Sequence, residues 1–285
     1  MNAQTKAPPF PWTPALGQLI DLALQEDLGR GDVTTEVVGE SGLGHGVILC
    51  REPVVVCGLP VAEWVIQAAG EDIELTPVAA EGQQLQAGEH LARLEGPVDG
   101  ILRVERTMLN FLQRMSGVAS LTRLYVEALD GTAARVTDTR KTLPGWRGLD
   151  KYSVRAGGGF NHRQDLGSGI LIKDNHLVAC GSITAAVKRA RAEGPHPLRV
   201  EVEVEDLAGA QEAAEAGAEV LLLDNMTPDE VREVVDALEH DLILEVSGGI
   251  NLTTVRGYAE AGAQIISVGA LTHSARAVDL SLDLS

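Results

Sequence analysis

The second half of the chain alternates short apolar runs with helical segments, and this alternation constrains the fold more than any other sequence feature. The apolar runs are ARVTDTR, ILIK, LRVEVEV, EVLLLDN, LILEVSGG and QIISVGA. The segment AEAGA precedes a run twice, at 214–218 and 259–263. Repeated strand–helix units predict parallel strands with helices outside them. Six strands are clear and GGGFNHR leaves room for a seventh, so we favour a closed or nearly closed β/α barrel over a doubly wound sheet.

The first half of the chain has a different rhythm. A leader rich in proline is followed by TPALGQLIDLALQEDLG, which has apolar residues at helical spacing. Short β-like runs punctuated by glycine and proline come next, as in a small mixed sheet. ILRVERTMLNFLQRMSGVASLTRLYVEAL then predicts a long helix, or two helices that meet near Ser116-Gly117.

One segment reverses the sign of the charge. The 285 residues carry a formal net charge of -18, but residues 138–176 contain seven Lys and Arg against four Asp. A local cluster of cations in an acidic protein predicts a site for a small anion. The pI near 4.7 argues against broad binding to nucleic acid or to anionic membranes.

Polar residues stand where the predicted strands end. These positions are Thr139-Arg140-Lys141, Lys173, Glu203, Asp224 and Ser247-Gly248-Gly249. The site of a β/α barrel lies at the carboxyl ends of its strands, and charges that follow apolar strands are costly unless they meet partners or ligand. The sequence therefore predicts an active site at this end of the barrel.

Plainer explanations exist for the individual residues. Arg140 and Lys141 alone are typical of solvated turns. Glu201, Glu203 and Glu205 share one strand face, which an edge strand would expose to water. His162 alone is typical of a structural histidine. SGGI before NLTTVRGYAEAG predicts backbone N–H groups and a helix N-terminus directed at an anion.

The residue types narrow the chemistry. Arginine binds carboxylate or phosphate through a planar pair of donors, and lysine supplies a compact charge. Acidic groups beside a phosphate site indicate Mg²⁺, ribose hydroxyls or a developing positive charge. The two sets together indicate a sugar phosphate or pyrophosphate that reacts with another anion.

Several longer motifs cover nearly the whole chain after the leader: EDLGRGDVTTE, ERTMLNFLQRMSGVASLT, DTRKTLPGWR, GGGFNHR, LIKDNH, VEVEVEDL, LLLDN, SGGI and VGALTHS. In sequence and order they resemble the motifs of the quinolinate phosphoribosyltransferase family. The resemblance implies transfer of phosphoribosyl from phosphoribosyl pyrophosphate to quinolinate, with Mg²⁺ and loss of CO₂. The expected products are nicotinate mononucleotide and pyrophosphate, in the synthesis of NAD.

The resemblance also implies the architecture. It predicts an α/β fold in which an incomplete seven-stranded β/α barrel carries an N-terminal α/β sandwich domain. The expected boundaries are a loose leader over 1–12, the sandwich over 13–115 joined by the tail 271–285, and the barrel over 116–270. Homodimers or larger assemblies are expected, in which each barrel mouth is covered by the partner's N-terminal domain.

Each predicted role follows from the matching motif. The resemblance implies that Arg106 serves the neighbouring subunit's site, while Thr139, Arg140, His162, Arg163 and Lys173 bind substrate, quinolinate above all. It places Lys141 toward the phosphates, Glu203 and Asp224 near the ribose and metal, and Ser247, Gly248, Gly249 and Gly269 around the 5′-phosphate. The predicted catalytic residues are Lys141, Lys173, Glu203 and Asp224, with Mg²⁺ held mainly through the pyrophosphate.

Three alternatives stay open at this point. A Schiff-base aldolase would use Lys173, a related transferase would take another pyridine, and a sensor would bind phosphoribosyl pyrophosphate without catalysis. The N-terminus lacks an apolar signal-peptide core, and the chain has no uninterrupted 18-residue apolar span. The sequence predicts a cytoplasmic protein without nucleic-acid or membrane partners.

Overall fold

The computed structural model describes residues 8–38, 42–238 and 242–285. Their contacts divide the chain into two compact units. The first unit runs to Arg123 and includes 142–158 and 271–285, and the second comprises 124–141 and 159–270. None of the helices in the described ranges is long and apolar enough to cross a membrane.

Helices and strands are numbered in chain order. Those of the first half are α1 (Pro14–Leu28), α2 (Val33–Val38), β1 (Leu43–Cys50), β2 (Val54–Val55), α3 (Leu59–Ala69), β3 (Glu74–Pro77), β4 (Gln84–Leu85), β5 (His90–Pro97) and α4 (Val98–Ala128). Those of the second half are β6 (Arg135–Thr137), α5 (Arg147–Ala156), β7 (Ile170–Ile172), α6 (Asp174–Cys180), α7 (Ile183–Glu193), β8 (Val200–Val204), α8 (Leu207–Ala216), β9 (Val220–Asp224), α9 (Pro228–Ala237), β10 (Ile243–Ser247), α10 (Val255–Glu260), β11 (Ile265–Ser267), α11 (Ala270–His273) and β12 (Leu280–Leu284).

The first unit is built on an antiparallel sheet in the order β12-β1-β5-β3. The chain's last strand therefore pairs with its first, and Gly46 stands opposite Leu284. Helix α1 begins where the Thr13 side chain accepts the Leu16 N–H, and it buries Leu16, Ile20 and Leu24 on one face. The C-terminal tail is thus an integral strand of this unit rather than an appendage.

Helix α4 is continuous through the point where the sequence allowed a break. Gly117 lies in mid-helix, where a Cβ would overlap the backbone carbonyl oxygen of Arg276 and lie 3.4 Å from the Ala277 Cα. This glycine permits close approach of the C-terminal tail to the helix, and it does not end the helix.

Gly117→Ala should lower the free energy of unfolding by about 3 kcal/mol, at the upper end of the usual cost of overpacking. The added methyl group meets backbone, which cannot move aside as a flexible side chain can. Urea denaturation measures the change. Gly148→Ala on α5 is the matched control, because its Cβ meets nothing within 4 Å and alanine favours a helix. Equal stability of the two variants would contradict this account.

Segment 142–158 packs in the first unit, although the sequence placed it with the barrel. Arg114 Nη2 lies 3.2 Å from Oδ1 of the buried Asp150, and the Tyr152 hydroxyl donates to Glu81 Oε2 at 2.9 Å. The Glu81 carboxylate also accepts the N–H groups of Gly58 and Leu59 at the start of α3, and its burial raises its pKa. These contacts join residues far apart in the chain, so the local sequence of 142–158 does not show them.

Part of the predicted leader is also packed. Residues 1–7 lie outside the described ranges. The ring centroids of Phe10 and Tyr152 are 4.7 Å apart, and those of Trp12 and Trp64 are 4.4 Å apart. Within the described part, the leader is therefore anchored by aromatic contacts to the first unit.

The second unit contains a parallel sheet in the order β6-β11-β10-β9-β8-β7. The unit's first strand, β6, thus pairs with its last, β11, which is the order of a sheet that curls around on itself. Phe160 adds an isolated parallel bridge to Thr137 at the β6 edge, where the sequence left room for a seventh strand. The predicted α/β class with an incomplete β/α barrel is confirmed.

Candidate active site

The predicted site residues of the second unit converge on one edge of its sheet. Because all six strands are parallel, their carboxyl ends lie on the same side. This edge carries Thr139, Arg140 and Lys141 after β6, Lys173 after β7, Glu203 in β8, Asp224 ending β9, Ser247, Gly248 and Gly249 at the end of β10, and Gly269 after β11. His162 and Arg163 follow the bridge at Phe160.

Two carboxylates and two lysines form one part of this edge. Lys173 Nζ forms an ion pair with Glu203 Oε2. Burial raises the pKa of Asp224, and the neighbouring Glu203 raises it further, while Lys173 and Lys141 act in the opposite direction. The four groups therefore interact electrostatically along the carboxyl edge, where Lys173, Glu203 and Asp224 lie at the ends of the neighbouring strands β7, β8 and β9. A Schiff base on Lys173 would have to break its ion pair with Glu203, which disfavours the aldolase alternative.

Two arginines form a second part. Arg163 Nη1 donates to the Gly169 carbonyl at 3.0 Å, and burial together with Arg140 lowers the pKa of Arg163. Arg140 Nε is buried and has no acceptor among the described residues. A buried donor without an acceptor is costly, so these two neighbouring guanidinium groups could bind an anionic ligand.

His162 is engaged on both sides of its ring. Its Nε2 lies 3.5 Å from Glu201 Oε2 and 3.4 Å from Glu245 Oε1, and its Nδ1 accepts the N–H of Arg163 at 2.7 Å. Burial lowers the pKa of His162, and the hydrogen bonds to the two carboxylates raise it. The backbone N–H of Arg163 disfavours a second proton on the ring, because a protonated Nδ1 cannot accept a hydrogen bond. The geometry is that of a ring whose Nε2–H faces the carboxylates.

The glycine loop after β10 is shaped by a residue that sequence reasoning did not single out. Gly248 has φ +100° and Gly249 φ +61°, in the left-handed region. Asn225 has φ +57°, donates its backbone N–H to Ser247 O at 2.9 Å, and donates Nδ2 to Asp224 Oδ2 at 2.7 Å. Its position directly after a strand-end aspartate was the available signal.

The helix expected directly after this loop begins later than predicted. Helix α10 starts at Val255 and has six residues, because Asn251 to Thr254 form a turn closed by side-chain hydrogen bonds. An anion bound at this loop would therefore be held by the loop's N–H groups rather than by a helix terminus.

Arg106 belongs to the first unit, on α4. Its side chain is 59% exposed, and the Glu105 carboxylate lies 3.9 Å from Nη2. Together with Leu19, Leu22, Asn110 and Trp146 it lines a cavity of about 270 Å³ within that unit. The guanidinium is thus accessible on the surface of the first unit.

Comparison with known proteins identifies the family. Residues 32–116 match the quinolinate phosphoribosyl transferase N-terminal domain, and residues 118–283 match the quinolinate phosphoribosyl transferase C-terminal domain. The chain belongs to the quinolinate phosphoribosyl transferase family. The resemblance seen in the sequence motifs is confirmed.

Individual members of this family align over almost the full chain. The probable nicotinate-nucleotide pyrophosphorylase (carboxylating) of Bacillus subtilis (strain 168) is 39% identical over 270 residues, which cover 95% of this chain and 93% of that protein. The nicotinate-nucleotide pyrophosphorylase (carboxylating) of Mycobacterium leprae (strain TN) is 42% identical, with 92% and 94% covered. The solved structure of the nicotinate-nucleotide pyrophosphorylase from Francisella tularensis is 35% identical, with a TM-score of 0.92 and 100% of both chains covered.

The carboxyl edge offers the donors that magnesium prefers. Glu203 and Asp224 provide carboxylate oxygens, the ligand type of Mg²⁺ in proteins. One carboxylate oxygen of Glu203 pairs with the Lys173 ammonium, and one of Asp224 accepts a hydrogen bond from Asn225 Nδ2. Only the other carboxylate oxygens are therefore available to an ion. Mg²⁺ keeps several waters and binds through one or two carboxylates plus substrate phosphates, and the donor set of this quinolinate phosphoribosyl transferase family member fits that pattern.

Proposed function

We propose that this chain transfers phosphoribosyl from phosphoribosyl pyrophosphate to quinolinate and releases pyrophosphate and CO₂, giving nicotinate mononucleotide for NAD synthesis. One observation carries the proposal: at the carboxyl edge of a barrel in this family, the Arg140–Arg163 pair lies on the same edge as the Glu203–Asp224 pair. The arginines suit the carboxylates of a pyridine dicarboxylate, and the acidic pair suits a ribose at which positive charge develops.

The bond-forming step joins the pyridine nitrogen to the anomeric carbon as pyrophosphate departs. The transition state has oxocarbenium character, so Glu203 and Asp224 stabilise its positive charge and orient the ribose hydroxyls. Lys141 and Lys173 lie near the same carboxylates and offset charge on the phosphates. Magnesium, when bound, neutralises the leaving pyrophosphate.

Decarboxylation follows from the product of that step. Alkylation of the ring nitrogen makes the pyridine an electron sink, so the adjacent 2-carboxylate leaves as CO₂ and a proton replaces it. Lys173 is the better placed proton guide, because its side chain is 41% exposed at the strand edge, against 13% for His162. Positioning and electrostatics supply the catalysis, and no nucleophilic Ser or Cys is required.

The proposal includes a homodimer or larger homo-oligomer in which Arg106 serves the partner's site. Its support is the exposure of the Arg106 guanidinium and the lack of a close carboxylate partner other than Glu105 among the described residues. A cation held in this way is available to the dicarboxylate of a second chain.

A direct assay tests the function. Purified protein is mixed with quinolinate, phosphoribosyl pyrophosphate and Mg²⁺, and nicotinate mononucleotide and CO₂ are measured together. Equal amounts of both, absent when Mg²⁺ is chelated, are expected. Neither product from folded protein, or turnover of nicotinate instead of quinolinate, would overturn the proposed substrate. The sensor alternative predicts binding of phosphoribosyl pyrophosphate without any product.

A further inference from the structure

Two buried glutamates below the substrate edge have no role in the reaction described above. Glu201 in β8 and Glu245 in β10 are 9% and 3% exposed, and both face His162 Nε2. Glu245 accepts from the Ser267 hydroxyl, and Oε1 of Glu201 is buried without a donor among the described residues. Burying two carboxylates side by side costs several kcal/mol unless hydrogen bonds and an opposite charge offset it.

The partner they share is the residue next to Arg163. The Nε2–H of His162 faces both carboxylates, which sets the rotation of the ring and leaves Nδ1 as the acceptor for the Arg163 backbone N–H at 2.7 Å. The ring therefore connects the barrel interior to the main chain of Arg163.

Asp138 holds the same segment from another direction. Its fully buried carboxylate accepts the His162 N–H on Oδ1 at 3.0 Å and Asn161 Nδ2 on Oδ2 at 2.5 Å. Residues 161–163 are thus tied to β6, β8 and β10, and the Arg163 side chain leaves this fixed backbone toward Gly169 O and Arg140.

Ligand-to-ligand distances below 4.8 Å would also suit a divalent ion bound by His162, Glu201 and Glu245. The bond at Nδ1 opposes this arrangement, because a ring that accepts at Nδ1 carries its proton on Nε2. That proton occupies the place an ion would take between the ring and the carboxylates.

We propose that Glu201 and Glu245 are positioning residues: through His162 they fix the backbone at Arg163 and so hold its guanidinium ready for a carboxylate of the pyridine substrate. This inference rests on the function proposed above. It predicts an effect on binding of the dicarboxylate and little effect on phosphoribosyl pyrophosphate.

Glu201→Gln and Glu245→Gln keep the side-chain shape but remove the charge that orients the His162 ring. We expect each to raise the KM for quinolinate about tenfold, the effect of losing a charge-assisted hydrogen bond, with the KM for phosphoribosyl pyrophosphate within about twofold. Calorimetric binding of benzene-1,2-dicarboxylate, which has the same adjacent carboxylates but no ring nitrogen, should weaken by the same factor without any turnover. Glu219→Gln is the matched control, since Glu219 accepts the Val200 N–H at the opposite end of β8.

A double-mutant cycle separates positioning from general damage. In an Arg163→Ala background, Glu245→Gln should weaken dicarboxylate binding no further, because the group on which it acts is absent. Additive losses, or normal dicarboxylate binding by both single glutamine variants, would overturn the inference while leaving the function intact.

Two further results complete the test. If Glu245→Gln does not fold, Ser267→Ala, which removes only the hydroxyl that Glu245 accepts, should weaken dicarboxylate binding in the same direction, and unchanged binding counts against the inference. Wild-type protein that neither binds the dicarboxylate nor converts quinolinate would overturn the proposed function itself, and this inference with it.

Discussion

Arg106→Ala should weaken quinolinate binding by about 2–5 kcal/mol, the cost of removing one member of a desolvated charge pair, and thereby abolish most of the turnover at ordinary substrate concentrations. The side chain is 59% exposed in its own chain and makes only a 3.9 Å contact with Glu105, so the variant should fold normally. Steady-state kinetics and a melting curve measure the two effects. Arg232→Ala, which removes another half-exposed arginine from its surface pair with Asp229, should leave both unchanged.

Mixing variants tests whether Arg106 acts on the partner. Arg106→Ala and Lys173→Ala are each expected to be nearly inactive, because one lacks the donated cation and the other lacks a residue of the receiving site. Random exchange of subunits should restore about a quarter of the wild-type activity, since half of the dimers are mixed and each has one complete site. Unchanged quinolinate affinity in Arg106→Ala would remove this arginine from the site, and absence of recovery on mixing would remove its action in trans.

Gly248→Ala should reduce kcat/KM for phosphoribosyl pyrophosphate by about 100-fold, the effect of a displacement near 1 Å in a catalytic group. A Cβ at Gly248 would lie 2.8 Å from the Asn225 backbone nitrogen and overlap its side-chain oxygen, at a φ of +100° that alanine rarely adopts. Asn225 would have to shift, and Asp224, which accepts from its amide, would shift with it. Kinetics with each substrate varied in turn locates the loss.

Substitutions at two other glycines, Gly257 and Gly249, serve as comparisons for Gly248→Ala. Gly257→Ala on α10 meets only ordinary contacts, 3.6 Å from Pro228, and should behave as wild type. Gly249→Ala meets nothing within 4 Å of its Cβ in the chain itself, so the backbone strain at φ +61° should be its main structural cost. A large rise in the KM for phosphoribosyl pyrophosphate in this variant would indicate that the phosphate approaches the loop here. A fully active Gly248→Ala enzyme would contradict the role assigned to Asn225.

The strand-end residues could be predicted because they combine two local signals. Lys173 and Asp224 each follow an apolar run of strand length, and parallel strands necessarily place such residues on one edge. The plainer explanation for His162 proved partly right, since its ring is satisfied inside the barrel by Glu201 and Glu245. The same ring also accepts the backbone N–H of Arg163, so a structural histidine is connected to a residue that we propose binds the substrate.

The domain boundaries illustrate a limit of pattern reasoning. Residues 142–158 lie inside the stretch that the sequence assigned to the barrel, and nothing local in that stretch records the ion pair of Asp150 with Arg114 or the hydrogen bond of Tyr152 to Glu81. Gly117 likewise allowed a helix break in the sequence interpretation. The structure gives another reason for a glycine there: the backbone carbonyl of Arg276, more than 150 residues away in sequence, lies where a Cβ would be.

The sequence by itself determined the parallel βα architecture, the polar edge at the strand ends and the family, because strand and helix periods and motif order are local properties of the chain. Only the tertiary structure decided that Glu201 and Glu245 meet His162, that Asn225 adopts φ +57° between Asp224 and Gly248, and that the last strand pairs with β1. These contacts depend on which faces meet after the chain has closed on itself. That choice is made by the packing of the whole core, in which residues far apart in sequence become neighbours.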